Sequence, residues 1–183
     1  MDHGANMIDV APIYGKAEER LKSWIQKCRD MFFLAEKTMK RTKIGEWRQL
    51  NRSLERLDTN HFDLYQFHAV SLMEELHQIL GKDGAIEAFK EFKETGLIKH
   101  IGITAHDDVR ILKNALELSN DFDTVLLPVY VASLVNPNPV NDFKSILQIT
   151  RDNNIGVTAI KPISKHRWRG NHTYNTWYEP LDK

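Results

Sequence analysis

Apolar residues along this chain fall into two alternating arrangements. Six short runs are apolar at largely consecutive positions: residues 6–10, 31–37, 62–67, 99–104, 124–130 and 156–160. Between them, residues 17–27, 45–57, 84–95, 107–118 and 141–152 space their apolar positions three and four apart. The first arrangement predicts strands covered on both faces, and the second predicts amphipathic helices with one face on a core. In 84–95, Phe89 and Phe92 share one face while Glu87, Glu91, Lys93 and Glu94 point away, and Gly96 supplies a stop. Asp107 is the expected N-cap of the helix that carries Val109, Leu112, Ala115 and Leu116.

Strand and helix alternating in units of about 30 residues is the pattern of parallel α/β architecture, with right-handed crossovers. Two solutions satisfy it, an open doubly wound sheet or a closed barrel. No GxGxxG or GxxxxGK[ST] follows any predicted strand, so the glycine-rich phosphate cradle of the open-sheet nucleotide binders is missing. The expectation is therefore a parallel (β/α)8 TIM-type barrel, incomplete at about six of its eight units. It occupies residues 1–163. Residues 164–183 lose apolar periodicity, mix Arg, His, Trp and Tyr, and are expected to be an irregular tail. The Pro/Asn stretch 134–140 reads as a connection.

Composition narrows the function classes. Apolar residues make up 42% and charged residues 27%, a balance that supports a packed core. Twenty-five basic residues match 25 acidic ones, so no global field favours nucleic acid or acidic lipid. A basic-aromatic contact through the tail is the weaker reading, and no nucleic-acid partner is expected. With Cys28 as the single cysteine, neither an internal disulfide nor a CxxC metal pair can form, and no metal site is expected. No apolar run reaches membrane-span length, and the first residues have no signal-peptide pattern, so the expected location is cytoplasmic and away from membranes.

Four polar side chains stand at or just beyond the C-terminal ends of the first three strands, the rim where parallel barrels place their chemistry. They are Asp9, Tyr14, Lys37 and His68. Singly, each has an ordinary explanation as a turn former, a packed ring, a solvated cation or a hydrogen-bonded imidazole. Together they make a proton-transfer set. A phenol yields its proton reluctantly from a pKa of about 10, and a neighbouring ammonium eases the loss. A carboxylate would hold that ammonium in place, and an imidazole would steer a carbonyl oxygen.

Four segments in order, GANMIDVAPIYGKAEERL at 4–21, FFLAEKT at 32–38, SLERLDTNHFDLYQFH at 53–68 and IKHIGIT at 98–104, resemble the aldo-keto reductases. That resemblance implies a TIM barrel using NADPH or NADH to transfer a hydride to an aldehyde or ketone. It assigns Tyr14 as the general acid, Lys37 as its activator, Asp9 as the partner of Lys37, and His68 as the group orienting the carbonyl. Thr104 and His106 fall at cofactor-contact positions. The family's Asn after Thr104 is replaced by Ala105, its carboxamide-binding Gln by Leu127, and its stacking Tyr by Ile160. The alignment matches the first predicted strand to the second of the reductase barrel and the sixth to the seventh. The opening and eighth strands are thus expected to be missing, with the pocket for the cofactor's adenosine phosphate. Two open sheet edges would follow and invite self-association. The alternative is a catalytically silent, truncated member of the family, an interaction module or a gene fragment.

Overall fold

The computed structural model describes residues 4–130, 134, 138–162, 164–167 and 178–180. In chain order the elements are β1 (Met7–Asp9), α1 (Ala17–Cys28), β2 (Phe33–Thr38), α2 (Lys43–Leu57), β3 (Phe62–Phe67), α3 (Met73–Leu80) and α4 (Ala85–Glu94). They continue with β4 (Ile98–Thr104), α5 (Arg110–Leu118), β5 (Thr124–Pro128), α6 (Phe143–Asp152), β6 (Gly156–Ile160), β7 (Ser164–Arg167) and β8 (Tyr178–Pro180). Strands β1 to β6 form one parallel sheet in sequential order, curled into an incomplete barrel.

Consecutive apolar residues sit where both faces are covered. All six residues of β3, between β2 and β4, are buried. Its outer face carries Tyr65 and Phe67 into the helical layer, where Phe67 stacks on Phe89 of α4 with ring centres 4.0 Å apart. Phe92 packs edge-on against Trp47 of α2 at 4.7 Å, so the aromatic face read from the sequence of α4 is the one that meets the core. Gly96 takes φ +75° after α4, a conformation that a side chain would strain. At the sheet ends the cover thins: Met7 of β1 and Val157 of β6 stay exposed.

Local differences from the predicted elements have local causes. Residues 29–31 form a 3-10 turn, and β2 starts only at Phe33. Arg29 enforces this by donating to the Phe32 carbonyl and to the Asp63 carboxylate. The helix expected to be capped by Asp107 begins at Arg110, and Asp108 instead accepts from the Arg110 N–H at 2.9 Å. Helix α3 has no counterpart among the predicted helices. Only eight residues long, with Leu76 and Ile79 buried, it is too short for helical period to stand out. Within the tail expected to be irregular, β7 and β8 pair antiparallel. The rest of the tail, Trp168 and Trp177 of the basic-aromatic reading included, lies outside the described residues, as do 135–137 of the Pro/Asn connection.

Candidate active site

Three adjacent strands carry the polar rim. Asp9 is the last residue of β1, Lys37 the next-to-last of β2, and His68 directly follows β3. Registers Asp9 to Ala35 and Lys37 to Gln66 place Asp9, Ala35, Lys37 and Gln66 on one sheet face, because residues two apart on a strand point the same way. Tyr14 comes from the turn between β1 and α1. Its N–H donates to the Ala11 carbonyl at 2.9 Å and its own carbonyl accepts from Ala17 at 3.2 Å, while Gly15 takes φ +63° to complete the turn.

Lys37 is the hub of the group. Its side chain is 1% exposed, and Nζ lies 2.5 Å from Asp9 Oδ2 and 3.4 Å from the Val10 carbonyl it donates to. The same Nζ sits 5.3 Å from the centre of the Tyr14 ring. His68 meets that ring edge-on at 5.7 Å. The four residues singled out from the sequence thus come together, with Tyr14 and Asp9 exposed and His68 and Lys37 buried.

Burial, with Lys37 and then His106 and Arg41 nearby, pushes the His68 imidazole down to about 4. The ring is therefore neutral near pH 7, carrying one N–H donor and one acceptor nitrogen. Its Nδ1 is buried without a hydrogen-bond partner among the described residues. Such an atom is costly unless it has a purpose, and in a site its partner comes with the ligand. The loop that carries the ring is tied on both sides. The His68 N–H donates to the Thr38 carbonyl at 2.8 Å, and the His68 carbonyl accepts from Arg41 at 2.7 Å.

The two positions expected to touch a cofactor differ in character. Thr104 is wholly buried at the end of β4, and its hydroxyl oxygen accepts from the Ala69 N–H at 2.7 Å, fixing the turn after His68. Half-buried His106 lies 5.9 Å from the His68 ring, its imidazole pushed down by burial and then by Lys161. Leu127 belongs to the core shared with the helices.

Sequence reasoning missed Gln66, Gly102 and Arg41. Gln66 donates to Asp9 Oδ1 at 3.0 Å. Gly102 faces it from β4, where a Cβ would fall 2.8 Å from Gln66 Cγ and 2.6 Å from Thr124 Oγ1, so only glycine leaves Gln66 its place. A lone polar residue and a glycine inside apolar strands were the available signals. Arg41 gave none, being one cation in a run of them.

Behind Lys37, on the opposite face of β2, Glu36 and Glu46 are buried, and desolvation raises both to about 8. Elsewhere, a cleft between α3, α5 and α6 lined by Met73, Ile111 and Ile146 holds no member of the polar group. Among the described residues no three His, Cys, Asp or Glu side chains converge as metal ligands, and no helix is long and apolar enough to cross a membrane.

Comparison with known proteins settles the family. A model of the Aldo/keto reductase family matches residues 1–180. The chain belongs to the aldo/keto reductase family. Among curated relatives it is 28% identical over 176 residues to an uncharacterized oxidoreductase, YqkF, of Bacillus subtilis, covering 88% of this chain and 53% of that one. The aldo-keto reductase YhdN of the same organism is 32% identical over 118 residues, covering 57% of this chain and 34% of its own length. The chain thus spans about half the length of its first curated relative. Similar solved structures include the holo form of aldo-keto reductase AKR11C1 from Bacillus halodurans, at TM-score 0.70 and 20% identity over 97% of this chain and 61% of that one. An aldo-keto reductase from Klebsiella pneumoniae in complex with NADPH aligns at TM-score 0.69 and 25% identity over 88% and 54%.

Proposed function

We propose that this member of the aldo/keto reductase family reduces an aldehyde or ketone with a nicotinamide cofactor at the rim formed by Asp9, Tyr14, Lys37 and His68. The observation that carries the reading is the position of Lys37 Nζ, paired with Asp9 at 2.5 Å and 5.3 Å from the Tyr14 ring centre. This donor set suits a carbonyl that becomes an alkoxide. Neutral His68 offers an N–H to the carbonyl oxygen, holding it beside the phenol. Tyr14 then delivers its proton to the oxygen as negative charge develops there. The Lys37 ammonium stabilises the phenolate left behind, and Asp9 keeps the ammonium from swinging away.

The cofactor supplies the hydride when bound, and the protein positions and protonates. The orphaned His68 Nδ1 and the acid beside a cation fit a carbonyl at this rim. Of the two cofactor-contact positions His106 is the more exposed and would hold a nicotinamide next to the carbonyl, while Thr104 can still donate its own hydroxyl proton. The Klebsiella pneumoniae neighbour was solved with NADPH, and NADPH is the first cofactor to try.

The test is a calorimetric titration of NADPH into the purified chain, followed by an aldehyde panel with wild type and Tyr14→Phe. Micromolar binding and reduction lost in Tyr14→Phe, with binding unchanged, is the expected result. Equal turnover in Tyr14→Phe overturns the proton-donor role. Binding of neither NADPH nor NADH at about 1 mM overturns the reductase reading for this chain.

A further inference from the structure

Arg41 sits 9% exposed in the loop after β2, and the proton-transfer chemistry makes no direct use of it. Its guanidinium reaches four oxygens: the His68 carbonyl at 2.7 Å, the Thr38 and Lys40 carbonyls at 3.3 and 3.2 Å, and Glu75 Oε1 at 3.2 Å. The other oxygen of Glu75 accepts from the N–H groups of Ser71 and Leu72 at the start of α3. One planar fork thus ties the ends of β2 and β3 to the first turn of the next helix, a task the single-point ammonium of a lysine performs poorly.

The residue after His68 shows why the tie matters. Ala69 has φ 50°, a left-handed backbone that a residue with a Cβ adopts only when its surroundings impose it. Arg41 holds the carbonyl, and Thr104 Oγ1 the N–H, of the single peptide unit that joins His68 to Ala69, gripping it at both edges just before the kink. We propose that Arg41 is a positioning residue, fixing the His68 backbone so that the imidazole stays edge-on to Tyr14 and beside Lys37. The inference rests on the carbonyl-reductase reading for its effect on rate, but its effect on His68 is independent of that reading.

The groups facing His68 are Lys37 from β2, Tyr14 from the turn after β1, His106 from the turn after β4, and Arg41 itself. The experiment compares the full chain with Arg41→Gln and Arg41→Lys. It reads the pH titration of the His68 imidazole by NMR, the melting temperature, NADPH affinity, and kcat and KM for an aldehyde. In Arg41→Gln the His68 midpoint is expected to move upward, and kcat to fall about tenfold to a hundredfold with NADPH affinity unchanged. Arg41→Lys, which keeps the cation and loses the fork, is expected to give a smaller upward shift and a similar drop in kcat. A melting temperature that falls while the His68 midpoint and kcat stay at wild-type values in the variants that fold would overturn the positioning role. Should Arg41→Gln not fold, Arg41→Lys decides by the same criteria. If the wild type reduces no aldehyde, the reductase reading fails, and the His68 midpoint in Arg41→Lys, which keeps the cation, decides the role of Arg41: an upward shift supports it and a wild-type midpoint overturns it.

Discussion

The Gln66 amide donates to Asp9 Oδ1 at 3.0 Å although β2 lies between the strands that carry them. On β2 the register partner of Asp9 is Ala35, a small residue on the same sheet face. One carboxylate is therefore shared, with Oδ1 held by β3 and Oδ2 by Lys37 of β2. Gln66→Leu keeps much of the volume and removes the donor. It is expected to cost about 1–2 kcal/mol in denaturant unfolding and to lower carbonyl reduction more than NADPH binding. Unchanged stability and turnover would show the bond to be incidental.

Lys37 has a buried charge whose main counterion is Asp9. Asp9→Asn is expected to destabilise the chain by about 2–4 kcal/mol, because it strands a desolvated cation rather than merely deleting an attraction. The same logic predicts that Lys37→Met restores much of the loss in the Asp9→Asn background. A double-mutant cycle on unfolding free energies checks this, and additive losses would contradict it. Both variants are expected to abolish turnover, so recovered folding without recovered activity separates the two roles of the pair.

Buried acids behind the site set an alkaline limit on stability. Glu36 and Glu46 go from 4.5 unfolded to about 8 folded, so between those values the folded state holds two protons that the unfolded state has lost. His68 works the other way, going from 6.5 to about 4, so between those values the unfolded state holds one proton more. Below 6.5 the lowered imidazoles of His68, His61 and His106 offset the two acids, and from 6.5 to about 8 the balance is two protons in favour of the folded state. Stability therefore falls as pH rises from 6.5 through about 8. The melting temperature is expected to decline from pH 6.5 to pH 9, and Glu36→Gln or Glu46→Gln should flatten that decline. A melting temperature that rises across the range would refute the assignment.

Much of this was legible in the sequence for a physical reason. Side-chain period is a property of one element at a time, so all six sheet strands and five of the helices could be read from spacing, and strand ends located the acid, the cation and the imidazole. Helix α3 escaped because eight residues give barely two turns of signal. Gln66 and Arg41 escaped because their value lies in contacts across strands and loops. Gln66 acts on a residue 57 positions away and Arg41 on one 27 positions away, distances that no local pattern encodes. The strand expected to start at Met31 starts at Phe33 for the same reason: Arg29, which shapes the turn before it, has its partner Asp63 34 residues on.

Asp9, Lys37 and His68 follow one another at intervals of 28 and 31 residues, each one strand-helix unit after the last. Bringing them together requires closing only loops of that size, which costs little entropy and favours early formation during folding. The group proposed to handle the proton is in this sense a local inheritance of three neighbouring units. Whatever sequence closes the remainder of such a barrel can vary in substrate preference and cofactor grip, while the acid, its cation and the imidazole travel together as one piece of chain.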